Sequence, residues 1–228
     1  MLRRMAMALA VVASLLIAAL PAAAATETTA HYQLRGSGLS AVFSNAGYDD
    51  SGSLAPGDYF ETYIDAAASM SKADGSWTPG SYVCVGHNEF TVDADGNSLY
   101  TFGFQACGEA TTLTIDKGLS GGHVVATFRA EECVAWDEFK NCTESNTIGD
   151  VAVNLTLSGI GSIERWHGTS SEGTAGTYQY TAHGTGTSRS ADASGSVTLN
   201  GVSLTTGATG TAGWMFESKR GMVEISHG

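Results

Sequence analysis

Between Val151 and Leu157 the chain reads Val-Ala-Val-Asn-Leu-Thr-Leu, with its larger apolar side chains on every second residue. That period places Val151, Val153, Leu155 and Leu157 on one face of a strand and turns Ala152, Asn154 and Thr156 the other way. Gly149-Asp150 before it and Ser158-Gly159 after it supply turn residues, so the stretch predicts a half-buried β-strand closed at both ends. Weaker copies of the pattern begin at Leu39 and recur at Tyr59 to Ala66, Thr111 to Asp116, Val124 to Ala130, Ile163 to His167, Thr177 to His183, Arg189 to Leu199 and Trp214 to Phe216. Ala66 to Met70 reads as the end of a strand and a loop, because the helix-forming residues there are too few to stand as a helix. Gly184 to Ser188 and Lys219-Arg220-Gly221 read as turns.

Two dipeptides predict hairpins. Asp95-Gly96 and Asn200-Gly201 both suit a two-residue type I′ turn, which needs positive φ at its central positions. A hairpin centred on Asp95-Gly96 sets Cys84 opposite Cys107, within disulfide reach. A hairpin centred on Asn200-Gly201 sets Leu199 against Val202 and Val197 against Leu204. The competing reading of Asp93 to Asn97 as a calcium loop lacks the downstream Glu of an EF-hand.

The resulting fold class is all-β, an antiparallel β-sandwich, with two small sandwich modules in tandem. Thr112 to Gly118 echoes Ser196 to Val202, and each is followed by a glycine-rich connection and an alternating strand. This divides the chain into residues 1–25, 26–131, 132–148 and 149–228. The second and fourth of these are modules, and the third is a cystine-stapled connector. In the alternative, that third segment is the loop of a hairpin joining Val124–Ala130 to Val151–Leu157.

Composition narrows the class. Arg3-Arg4, the apolar run from Met5 to Leu20 and the small residues Ala22 to Ala25 form a signal peptide ending near residue 25. The run is shorter than the roughly 20 residues that span a bilayer, so no membrane span is expected in the mature chain and the destination is secreted or extracytoplasmic. Removing Arg3 and Arg4 lowers Lys plus Arg from 11 to 9 against 23 acidic residues, taking the formal charge from -12 to -14. With no basic cluster to offset it, that charge argues against a nucleic-acid partner. The four cysteines belong in disulfides in an oxidising compartment, Cys84 with Cys107 and Cys133 with Cys142.

Chemistry is sparse. No serine sits in a nucleophile elbow, no zinc-ligand spacing occurs, and His87, His167 and His183 fall on strands as ordinary polar positions; His167 would oppose His183 if Glu172 paired with Tyr178. No catalytic residue, metal or cofactor is expected. The most distinctive segment surrounds Trp136, Asp137, Glu138 and Phe139. A short cystine ring there would preorganise exposed aromatics for stacking, with carboxylates beside them for hydroxyl groups. Trp77 and Trp166 are lesser candidates. The sequence therefore points to a non-enzymatic extracellular binding module for an unknown ligand, carbohydrate or protein. Two alternatives stand beside it: a secreted hydrolase acting on a polysaccharide through acidic residues, and a purely structural surface module.

Overall fold

The computed structural model describes residues 29–47, 53–73, 76–136, 142–174 and 178–226. Eleven strands account for nearly all of them. In chain order they are β1 (Thr29–Ser44), β2 (Gly57–Ala73), β3 (Ser76–Val92), β4 (Ser98–Gly108), β5 (Ala110–Ile115), β6 (Gly121–Trp136), β7 (Cys142–Gly159), β8 (Glu164–Thr174), β9 (Tyr178–Leu199), β10 (Val202–Ser203) and β11 (Gly210–Ser226). A single turn of 3-10 helix, Lys117–Leu119, links β5 to β6. Among the described residues no helix is long and apolar enough to cross a membrane.

All the strands join one antiparallel sheet in the order β4-β3-β2-β1-β11-β9-β7-β6-β5, with β8 and β10 also paired to β9. The sheet curls until β4 lies against β6, where the Phe128 ring covers the backbone of Gly108. Side chains alternate in and out, and the inner face gathers one cluster of buried residues. It includes Leu39 and Ala41 from β1, Ile64 from β2, Val83 and Val85 from β3, Val124 from β6, Val153 and Leu155 from β7, and Met215 from β11. Leu155 is fully buried while its neighbour Asn154 faces out and meets His123 Nε2 at 3.2 Å. Val151–Leu157 thus has the buried and exposed faces its alternation predicts.

The sheet and its core run through the boundary expected between two modules. β1 pairs with β11 along its length, and β6 pairs with β7 from Gly121↔Ser158 out to Trp136↔Cys142. The backbone of residues 131–136 and 142–147 forms a hairpin arm, the alternative to a connector. The physical reason is that alternation persists through Gly149, which pairs with Ala130 as a strand residue.

Several expected breaks also run inside strands. Ala66 to Met70 continues β2, Gly184 to Ser188 lies within β9, and the Lys219 region is a bulge in β11 between Ser218 and Arg220. Glycine is tolerated inside strands where large side chains cover it. A side-chain carbon on Gly186 would fall 2.6 Å from Trp166 Cζ2, and one on Gly86 would fall 1.8 Å from Tyr63 Cζ. Pro79 sits where β3 pairs with β2 alone, as a residue without an N–H requires of a strand edge.

The two hairpin expectations divide. Asn200 and Gly201 have φ of 51° and 78°, Val202 pairs with Leu199, and Leu204 N–H donates to Val197 O at 2.8 Å. That is the expected type I′ turn. Asp95-Gly96 instead belongs to a longer turn closed by Asp93 N–H to Asn97 O at 3.0 Å, with only Gly96 at positive φ. Its side-chain support comes from Asp93, whose Oδ1 accepts from Asp95 N–H at 2.9 Å and Asn97 N–H at 2.8 Å. An extra residue in β4, Thr101, restores the register beyond Glu89, and Cys84 faces Cys107 as expected. The two are joined in a disulfide.

Candidate functional site

The inner face changes character along four adjacent strands. At one level it carries Leu39, Ala66, Val83 and Met215, paired across β1, β2, β3 and β11 and all buried. Two residues further along each strand, on the same face, the set becomes Ser37, Ala68, Ser81 and Glu217. The next level holds Arg35, Met70 and Pro79, and the one after that Gln33, Lys72 and Trp77. The strands outrun the core, so the inner face continues as an open groove of about 780 Å³. Small side chains on the inner face keep it open: Ser37, Ala68 and Ser81 line it.

Its charged groups are placed from different elements. Glu217 comes from β11, Glu109 from the joint between β4 and β5, and Arg35 from β1. The Arg35 guanidinium lies 4.5 Å from the centre of the Trp77 ring, which is 36% exposed. A guanidinium stacked on an aromatic face keeps its N–H edge free to donate while the ring holds it in place. The groove thus offers a fixed donor, two carboxylate acceptors, hydroxyl groups that do both, and an aromatic rim. That set suits a polyhydroxylated ligand with one apolar face.

The opposite end of the core is closed and aromatic. His87, 2% exposed, is ringed by Phe60, Phe102 and Phe104 with centroid separations of 6.1 to 6.2 Å. The Thr62 hydroxyl, itself fully buried, donates to Leu204 O at 2.6 Å. Its oxygen is then left to accept from His87 Nδ1 at 2.7 Å, and His87 Nε2 faces Glu89 Oε1 at 3.2 Å. Threonine, histidine and carboxylate stand in line as in a nucleophilic triad. The hydroxyl is sealed in the core and its proton is committed to a carbonyl, so this network braces the fold and presents no nucleophile.

Of the residues expected to bind ligand, Trp136 ends β6 with its backbone opposite Cys142. Its side chain, with those of Cys133 and Cys142 and all of Asp137, Glu138 and Phe139, lies outside the described residues. Trp166 lies over Gly186 with its Nε1 buried and no partner among the described residues. His183 meets Thr169 at 3.0 Å, and His167 pairs with Thr185 two residues from the expected partner. Trp77, a lesser candidate in sequence, stacks on the groove residue Arg35 and stands beside the groove without lining it. Arg35, Glu109 and Glu217 are not singled out by the sequence: Arg35 lies upstream of the alternation that begins at Leu39, Glu109 falls in the joint between β4 and β5, and Glu217 follows Phe216 as one more polar strand position. The alternation Leu39, Ser37, Arg35 carried the missing signal.

Comparison of the chain with protein-family models, with curated proteins and with solved structures finds no match.

Proposed function

We propose that the chain is an exported, non-catalytic binding module that holds a carbohydrate in the groove between Trp77 and Glu217. The observation that carries this reading is the switch of the inner face from Leu39, Ala66, Val83 and Met215 to Ser37, Ala68, Ser81 and Glu217. Four strands exchange core-forming residues for hydroxyl, small and acidic ones at one level. Leaving the core permits polar residues at that level, and a polar ligand seated beyond the core accounts for their small size and hydroxyl groups. Trp77 supplies the stacking face and Arg35, Glu109 and Glu217 the orienting polar contacts. The export signal and the Cys84–Cys107 disulfide fit an extracytoplasmic setting.

A glycan array probed with the full chain and with Trp77→Ala tests the proposal. Loss of a stacking aromatic costs a single-site ligand about 0.5 to 2 kcal/mol, so bound glycans should drop about two- to thirtyfold in apparent affinity while the melt stays put. Binding unchanged by Trp77→Ala, or no glycan bound by the parent, would reject it. The two carboxylates facing one groove favour a second reading, a polysaccharide hydrolase. In that case reducing ends would appear on incubation and Glu109→Gln or Glu217→Gln would stop their release without weakening binding.

A further inference from the structure

On the side of the sheet away from the groove, Ser40, Asp65 and Cys84 face one another across β1, β2 and β3. Trp214 extends this row beyond Ser40, and Cys107 extends it beyond Cys84. Tyr63 stands on the same face of β2, and Tyr82, opposite Ala67, on the same face of β3. Tyr63 reaches across to Gly86, where no side chain stands in the way. Asp65, Tyr63, Tyr82 and Trp214 all keep part of their surface open to solvent.

The carboxylate in this bed is poorly matched to its surroundings. Burial pushes the Asp65 pKa above the ordinary carboxylate range, and the Ser40 hydroxyl opposes that shift with its hydrogen bond. Among the described residues, no basic side chain is among the groups that act on it. The Tyr63 and Tyr82 phenols are pushed up first by burial and then by the negative charge of Asp65, so both rings lie close enough to feel it. Glu61 and Tyr100 also raise Tyr63. The remaining neighbours in the row, Ser40, Trp214 and the disulfide-bonded Cys84, do not titrate.

We propose that Asp65, with Tyr63 and Tyr82 beside it, forms a binding site for a quaternary or highly alkylated ammonium group. Such a cation sheds water at little cost, packs its methyl groups on aromatic rings and draws on their negative faces, while the carboxylate supplies the opposite charge. Sodium or calcium would require several further oxygen ligands. The acidic chain, with a formal charge of -12, also favours cations near its surface. Only the ionised carboxylate takes part, so affinity rises with pH through the raised Asp65 pKa and levels off above it.

The test uses the full chain at constant ionic strength, titrated with choline and separately with 3,3-dimethyl-1-butanol, its neutral isostere, while NMR follows the amides of β2 and β3. Choline should give saturable shifts centred on Asp65, and the neutral isostere should bind about tenfold more weakly or worse. Asp65→Asn keeps a hydrogen-bond acceptor for Ser40 and should retain the parent's fold by circular dichroism. It should lose at least about tenfold in choline affinity together with the pH dependence. Tyr82→Phe should bind as the parent does and Tyr82→Ala should not. Equal binding of the two probes, choline affinity unchanged in Asp65→Asn, or no saturable shift would each overturn the site. This outcome is independent of what the groove binds.

Discussion

Two polar residues show opposite ways of living inside this sheet. Thr62 is satisfied completely, giving its proton to Leu204 O and accepting from His87 Nδ1. Thr62→Val keeps the shape but strands a carbonyl and a ring nitrogen, and an orphaned buried group costs about 1 to 3 kcal/mol. Urea denaturation should show a loss of that size or larger; a variant as stable as the parent would mean that water reaches His87. Asp65 is the counterexample, its carboxyl raised chiefly by burial. A folded pKa above the unfolded one means that the folded chain holds the proton more tightly. Its contribution is therefore present below the ordinary carboxylate range and is lost as pH rises through the raised value. Stability of the parent relative to Asp65→Asn should fall across that window, and denaturation curves that stay parallel at every pH would contradict the burial of this carboxyl.

At the level of elements, the Cys84–Cys107 cross-link ties β3 to β4 across 23 positions of sequence. Restricting an unfolded loop of that length is worth about 3 kcal/mol. Replacing both cysteines by serine should lower the urea midpoint accordingly, and a midpoint that did not move would show that the β3–β4 register holds without it. This pairing was legible because the alternation and Asp95-Gly96 both converge on it, although the turn proved longer and Thr101 had to absorb the difference. Strand existence was legible for the same reason at Val151–Leu157 and at Asn200-Gly201. Strand length was not. Glycine and serine runs such as Gly184–Ser188 look like punctuation in one dimension, whereas in three dimensions Gly186 lies under Trp166 and Gly86 under Tyr63. A ring contributed by another strand fills the space that the glycine leaves open, and single-sequence periodicity has no access to that partner. The groove was hidden by the same error, since it is made where β1, β2, β3 and β11 continue past their apolar stretch.

Taken whole, the described residues form one sheet and one cluster of buried residues drawn from strands on both sides of residue 140. Such a core should melt in a single transition with calorimetric and van't Hoff enthalpies in agreement, whereas two tandem sandwiches would give two events or a ratio well above unity. The sheet order has a temporal side as well. β11 follows every other strand in sequence yet lies between β1 and β9 in space. Before residues 210–226 arrive, the strands can assemble only as two separate halves, β4-β3-β2-β1 and β9-β7-β6-β5, each with a bare inner edge of unpaired N–H and C=O groups. A chain emerging N-terminus first therefore completes its native core only once β11 is free. Until then each half keeps an unpaired edge, open to stray strand pairing for as long as the wait lasts.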